Sequence, residues 1–346
     1  MKAIDLFCGA GGLTVGLKLA GFDVVSAVEK EVIVSETYNL NHPEVALHTG
    51  DIKEIPPVKM MQELNIGPGE LDLLAGCPPC QGFSSLRTRN KNASVADDRN
   101  DLIFTFLDYV KAFLPKVVML ENVPALAKDF RMDIFCSELK NMGYFIDENS
   151  VAIEDASYFG VPQRRRRMVL LASKLGFLPR AVKDVAKKTV REAIGDLPMP
   201  GLSEDFLHNI TEKRTDKVKN IIRLIPKDGG SRADLPYEYW LPCHKRYPEG
   251  FKDVYGRMKW DSVSPTITSG CTNPSKGRFL HPLQDRAITL REAALLQTFP
   301  ADYYFPIKYG KDRAALMIGN ALPPEFIKRH AEIIKKHIEL SGRQNG

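Results

Sequence analysis

With 346 residues, 44% of them hydrophobic and 26% charged, the chain is long enough for a large α/β domain plus a smaller one, and its composition excludes disordered, fibrous and membrane-embedded classes. A formal charge of +5 permits a polyanionic partner without requiring one. The six cysteines, at 8, 77, 80, 136, 243 and 271, are too sparse for a disulfide-stapled secreted domain, and no apolar run exceeds strand length, so reduced thiols, no membrane span and a cytoplasmic address are expected.

In chain order, residues 2–7 predict a first strand. Leu13, Gly16, Leu17 and Ala20 then recur at helical spacing up to a Gly21 cap. Residues 22–28 predict a second strand, another strand-like stretch precedes Asp51, and 71–75 and 116–120 predict buried strands. Between those two lies a helix striped by Leu102, Phe106, Tyr109, Val110 and Phe113. This alternation is the pattern of βαβ crossovers, so the fold class is α/β with a doubly wound, mostly parallel sheet. Residues 145–173 predict a hairpin around Gly160-Val161-Pro162, with no room for a crossover helix.

From about Thr189 to Asp285 the alternation disappears and Gly, Pro and basic residues interleave with Tyr and Trp, which predicts a second, smaller irregular domain. Regularity returns with a Thr289-x-x-Glu292 capping box opening a helix that carries Leu295, Leu296 and Phe299 before Pro300. A last helix begins at Pro323-Pro324 and turns Phe326, Ile327, His330, Ile334 and Ile338 toward a core. The expected domains are 1–188, 189–285 and 286–346, the last returning to the first.

Four places carry candidate chemistry. Asp5-Leu6-Phe7-Cys8-Gly9-Ala10-Gly11-Gly12 puts glycines where the first strand turns into a helix, and Glu29 closes the second strand, where a carboxylate can accept from ribose hydroxyls. A tight βα turn and a nicotinamide site fit the same residues, and Asp51 is a candidate for an adenine amine or a turn. Gly76-Cys77-Pro78-Pro79-Cys80-Gln81 follows the fourth strand, at the edge where such sheets bind ligands. Its thiols are open to nucleophilic, zinc, redox or structural roles. Glu121-Asn122-Val123 ends the fifth strand, where an acid can hold a base edge or merely close a strand. In Gln163-Arg164-Arg165-Arg166-Arg167 an extended backbone turns Arg165 and Arg167 to one face and Arg164 and Arg166 to the other.

Taken together and in this order, these motifs resemble the DNA cytosine-C5 methyltransferase family. Further matches are Arg291-Glu292-Ala293-Ala294-Leu295-Leu296-Gln297-Thr298-Phe299-Pro300 and Gly319-Asn320-Ala321-Leu322-Pro323-Pro324. The resemblance implies a Rossmann-like methyltransferase domain that binds S-adenosylmethionine through Phe7, Gly9, Gly11, Gly12, Glu29, Asp51, Leu102, Asn320 and Leu322. It implies a catalytic centre of Pro79, Cys80, Glu121, Asn122, Arg165 and Arg167, with no metal. Cys8 and Cys77 fall at variable places and receive no chemistry.

Cytosine C5 is a poor nucleophile. The resemblance therefore implies that Cys80 adds to C6, Glu121 stabilises N3, Arg167 lies near O2 and the base is flipped from the duplex. Residues 84–99 match a mobile loop that closes on DNA, with Ser84 and Arg87 as contacts. In the small domain, the implied target-recognition domain, Lys213, Arg214, Lys217, Lys219, Arg223, Lys245, Arg246 and Arg257 are candidates for phosphate or base contacts. The expected partner is double-stranded DNA, for a monomeric bacterial or phage enzyme of a restriction-modification system with a cognate endonuclease. The rival readings are the tRNA-methylating branch of the same family and a catalytically silent DNA-binding member.

Overall fold

A computed structural model describes residues 1–79, 101–210 and 212–344. Two compact units divide the chain. The first comprises Met1–Phe159, Arg166–Lys183 and Leu322–Gly346, and the second Gly160–Arg165 and Asp184–Ala321.

The first unit is built on a seven-stranded sheet in the order β3-β2-β1-β4-β5-β7-β6. The strands are β1 Lys2–Leu6, β2 Asp23–Glu29, β3 Ala46–Thr49, β4 Leu73–Gly76, β5 Val117–Asn122, β6 Val151–Asp155 and β7 Arg166–Ser173. β1 to β5 run parallel, whereas β7 is antiparallel to both β5 and β6, as the predicted hairpin requires. Strand order reverses between β1 and β4, so a ligand crevice is expected beyond their carboxyl ends.

Both faces of the sheet are covered, because alternate strand residues point to opposite sides. Ile4, Leu6, Leu74, Val118, Leu120, Met168 and Leu170 form one buried cluster with Phe106, Val110 and Phe113 of helix Leu102–Phe113 and Phe135 of helix Phe130–Asn141. On the other face the Thr14 hydroxyl donates to Asp5 at 2.7 Å, which sets helix Gly12–Leu19 over β1. That helix packs on the last helix, Pro324–Gln344. A Cβ at Gly16 would lie 2.5 Å from the Ile327 Cβ and 2.6 Å from the Pro324 carbonyl, so only glycine admits this approach. The predicted stripe Phe326, Ile327, His330, Ile334 and Ile338 is buried throughout. His330 Nε2 also sits 3.1 Å from Glu154 on β6, and Arg180 pairs with the same carboxylate at 2.8 Å.

The second unit contains short helices and isolated β-bridges. Irregular backbone leaves buried carbonyls without ladder partners, and here arginines supply the missing donors. Arg257 is 0% exposed, and its guanidinium donates to the carbonyls of Ile222, Ile225, His281 and Gln284 and to the Asp285 carboxylate. Two of those carbonyls end helix Asp216–Leu224, so the side chain caps it. The expectation of a DNA contact at Arg257 is thereby corrected: every N–H is already bonded inside the unit.

Arg291 likewise donates to the Tyr303 carbonyl and pairs with Asp205. The capping box of Thr289 and Glu292 forms as predicted, but its helix, Leu290–Leu296, stops before Phe299 because Thr298 turns to a φ of 65°. The second unit therefore runs beyond Asp285, and through Gly160–Arg165 it also takes in the tip of the hairpin. The Gln163 amide donates to the Gln297 side chain at 2.7 Å and its oxygen accepts from the Ile267 amide at 2.8 Å, which holds that tip in place.

Candidate active site

At the end of β1 the backbone turns sharply, with φ of 64° at Phe7, 54° at Gly9 and 91° at Gly11. The strand stops at Leu6, one residue short of the predicted end, because Phe7 takes this left-handed conformation. Gly11 caps helix Gly12–Leu19, and among the described residues no atom beyond its chain neighbours lies within 4 Å of the place a Cβ would occupy at Gly9. The Glu29 carboxylate, at the end of β2, closes over this turn and accepts from the amides of Gly9 at 3.0 Å and Glu31 at 2.8 Å. Burial pushes its carboxyl above the usual range, and those amides oppose the shift.

Beneath the turn, Asp5 is fully buried. Desolvation pushes its carboxyl up to about 7, against the hydrogen bond from Thr14 and with a small addition from the Glu29 charge. Asp51 pairs with Lys30 at 2.6 Å, which holds its carboxyl below the ordinary value. It also caps the short turn Ile52–Glu54 through the Lys53 amide at 3.1 Å. Leu102 is the first residue of its helix and packs on the buried cluster. Leu322 is buried in the first unit, whereas Asn320 ends helix Lys311–Asn320 in the second.

The ends of β4 and β5 bring together the second group of residues. Glu121 is 5% exposed and its carboxylate lies 2.8 Å from Arg167 Nε of β7. The Asn122 side chain donates to the Pro78 carbonyl at 2.9 Å and accepts from the Val123 amide at 2.8 Å, fixing the loop that leads through Pro79. Cys80, the residue after Pro79, lies outside the described residues, as do Ser84, Arg87 and the segment 84–99.

Arg165 and Arg167 are turned inward while Arg164 and Arg166 are exposed, which follows the alternation read from sequence. Arg165 does not join Arg167 in the first unit. Its guanidinium donates to the carbonyls of Ile267 and Gly319 at 3.1 Å, inside the second unit.

Among the basic candidates of the second unit, Lys213, Lys217, Arg223 and Arg246 are exposed. Lys219 pairs with Asp216 at 3.2 Å, Lys245 lies over the Tyr237 ring, and Arg214 is tied to Glu212 and the Thr272 carbonyl. Cys77, to which the sequence assigned nothing, directly follows β4, and its amide donates to the Leu6 carbonyl at 3.2 Å.

Comparison with known proteins is in keeping with this geometry. Residues 1–336 match the C-5 cytosine-specific DNA methylase family. The chain is 35% identical to the Type II methylase M.HgiDII of Herpetosiphon aurantiacus, over 97% of this chain and 95% of that one. It is 29% identical to the Type II methyltransferase M.AgeI of Thalassovita gelatinovora, over 97% and 99%. Among solved structures, it resembles a prophage-encoded E. coli protein assigned as a DNA modification methyltransferase, with a TM-score of 0.69, 23% identity and coverage of 98% and 99%. It also resembles the S. pombe Dnmt2 methyltransferase, with a TM-score of 0.60, 18% identity and coverage of 98% of each chain. These likenesses indicate a shared fold, and the family match across nearly the whole length carries the assignment: the chain belongs to the C-5 cytosine-specific DNA methylase family.

Proposed function

We propose that the protein methylates C5 of a cytosine flipped out of duplex DNA, with Cys80 as nucleophile and Glu121 as the acid that holds the base. The observation that carries this reading is the placement of Glu121. It is buried at the end of β5, ion-paired to Arg167, and beside the loop that runs through Pro78 and Pro79 to Cys80.

Attack by the Cys80 thiolate on C6 forms a carbon–sulfur bond and moves an electron pair to C5, while charge accumulates at N3. Glu121 supplies a hydrogen bond there, Arg167 keeps that carboxyl oriented, and Asn122 fixes the loop. Once C5 carries the methyl group, a base takes the C5 proton, and the electron pair released expels the Cys80 thiolate and restores the ring. Extracting the base from the stack costs a few kcal/mol, which contacts from the protein must offset.

S-adenosylmethionine, when bound, supplies a methyl group on a sulfonium sulfur, an electrophilic carbon matched to the activated C5. The residues at the first turn fit it. The open space at Gly9 lets a ligand approach the backbone, and the Glu29 carboxylate keeps lone pairs for ribose hydroxyls beyond the two amides it accepts. Asp51 and Leu102 are assigned to the adenine side, and Asn320 and Leu322 complete the set that the family pattern suggests.

The second unit is assigned to target recognition, with Lys213, Lys217, Arg223 and Arg246 as phosphate or base contacts, and Ser84 and Arg87 are assigned as further contacts. The Type II names of the relatives support a place in a restriction-modification system, with an endonuclease reading the same site, and a monomer suffices for this chemistry.

Duplex DNA and tRNA offered side by side with labelled cofactor test the reading, together with 5-fluorocytosine duplexes. We expect label only at C5 of DNA cytosine, a covalent complex through Cys80 with the fluorinated duplex, and no transfer by Cys80→Ala with DNA binding intact. Label on nitrogen or on tRNA alone, or turnover by Cys80→Ala, overturns it.

A further inference from the structure

We infer that Gln297 is a positioning residue for the cofactor: its buried amide, together with the Arg165 guanidinium, caps the carbonyl end of helix Lys311–Asn320 and fixes where Asn320 stands. The inference rests on the reading of Asn320 as a residue that lines the S-adenosylmethionine site.

An α-helix leaves its last carbonyls without intrahelical donors. Helix Lys311–Asn320 runs straight into an extended Ala321, with φ of −62° and ψ of 152°, so its backbone does not fold back to satisfy them. Side chains do so instead. The Gln297 amide donates to the carbonyls of Ile318 at 2.6 Å and Ala321 at 3.3 Å, and Arg165 donates to those of Gly319 at 3.1 Å and Asn320 at 3.4 Å. Four successive carbonyls are thus held by two side chains. A Cβ at Gly319 would lie 2.2 Å from the Thr268 carbonyl carbon, so the helix end also rests directly on the backbone there. Asn320 is exposed at this pinned end.

The orientation of the Gln297 amide is set by a chain of hydrogen bonds that begins at a backbone donor. The Ile267 amide donates to the Gln163 side-chain oxygen at 2.8 Å, the Gln163 nitrogen donates to the Gln297 oxygen at 2.7 Å, and the Gln297 nitrogen ends on the helix carbonyls. Both glutamines are 0% exposed, and a flip of either amide would set donor against donor and acceptor against acceptor. Gln163 and Arg165 are two residues apart in an extended stretch bridged to Ser264, so they share a face and act on the same helix end.

The backbone around Gln297 is bent to serve this network. Helix Leu290–Leu296 closes with the Thr298 and Phe299 amides donating to the Leu295 and Ala294 carbonyls, a closure that requires the left-handed φ of 65° at Thr298. A β-branched residue is disfavoured in that conformation, which persists only where the surroundings over-determine it. The turn leaves Gln297 as the cap of its helix, with its side chain committed to Gln163 and to the end of Lys311–Asn320.

The test titrates S-adenosylmethionine into the full chain without DNA, by calorimetry, so that the readout does not depend on turnover. Gln297→Leu is expected to bind cofactor about tenfold more weakly, the order of effect of one or two such hydrogen bonds. In steady state its KM for cofactor should rise, with kcat and KM for DNA unchanged. In an Asn320→Ala background the same substitution should weaken binding no further, because it acts through that residue.

Gln297→Glu keeps the shape but turns an ionised oxygen toward the Ile318 carbonyl. Protonation returns a donor, so the affinity of this variant relative to wild type should recover as pH falls, a dependence that a packing role does not produce. Should the leucine variant not fold, the pH series on Gln297→Glu decides. Wild-type affinity in Gln297→Leu, additive losses in the double variant, a pH-independent deficit in Gln297→Glu, or failure of both Gln297 variants to fold overturns the inference. Wild-type affinity in Asn320→Ala instead sinks the reading on which it rests.

Discussion

Arg167 on β7 reaches Glu121 on β5 diagonally: Glu121 is in register with Val169, and the guanidinium two residues before it closes to 2.8 Å from the carboxylate. Residues two apart on a strand share a face, so the ion pair follows from the pleat and requires no backbone distortion. Removing the cation leaves a nearly buried carboxylate uncompensated, at a cost of about 3–5 kcal/mol for a pair of this kind. Arg167→Ala is therefore expected to melt at a markedly lower temperature and to lose most of its turnover, and Arg167→Lys to keep more of both. Melting curves and single-turnover methylation check this, and an alanine variant as stable as wild type would refute it.

Asp5 gives the protein a specific pH dependence. Its carboxyl titrates near 7 when folded and near 3.8 when unfolded, so between those values the folded chain holds a proton that the unfolded chain has released. The contribution is fully present below about pH 4 and is lost as pH rises through 7. Asp5→Asn should flatten this decline, so that the stability difference between variant and wild type shifts in favour of the variant from pH 5 to pH 8. Urea unfolding at the two values measures it, and a pH-independent difference would exclude the effect.

Gly16 is a steric hinge point between two helices. With the Ile327 Cβ and the Pro324 carbonyl this close, Gly16→Ala must push the last helix away. Overpacking of this sort costs about 1–3 kcal/mol. The expected result is a lower urea midpoint together with faster proteolysis of Pro324–Gln344, and an unchanged midpoint would show that the contact relaxes freely.

The cations of the second unit should separate into two behaviours. Arg257→Ala removes five hydrogen bonds of a fully buried side chain and is expected to destabilise the unit at every salt concentration. Arg223→Gln and Arg246→Gln, both exposed, should leave melting unchanged while weakening DNA binding and reducing its salt slope by about one each where they touch phosphate. Binding isotherms across a salt series, alongside thermal melts, distinguish the two classes.

Much of the first unit was legible because its central strands β1, β4, β5 and β7 are buried on both faces and read as apolar runs. The last helix was equally plain, since Phe326, Ile327, His330, Ile334 and Ile338 all fall on one stripe. Helix Phe130–Asn141 escaped notice because Phe130 and Ile134 sit on its solvent side and blur the periodicity. The place of Gly160–Arg165 in the second unit depends on pairing with Ser264 and Ile267, about a hundred residues away, which local pattern does not encode. Arg257 was misjudged for a related reason. A basic residue in an irregular region reads as surface, and only the fold reveals carbonyls that need its donors. The residues of the Glu121–Arg167 ion pair and of the glycine turn stand in motifs that the sequence displays, whereas the ion pair itself depends on β7 lying against β5.

The packing of helix Pro324–Gln344 on Gly12–Leu19 also bears on biosynthesis. A ribosome must translate past Leu322 before the partner of one of the earliest helices exists, so the nascent first unit spends most of its synthesis with an apolar flank uncovered. Contacts this distant in sequence form late and slowly, and until then the chain is exposed to chaperones and to aggregation. Circular permutation that joins the last helix directly ahead of Met1 should let that half mature early, and would convert a delayed closure into a local one.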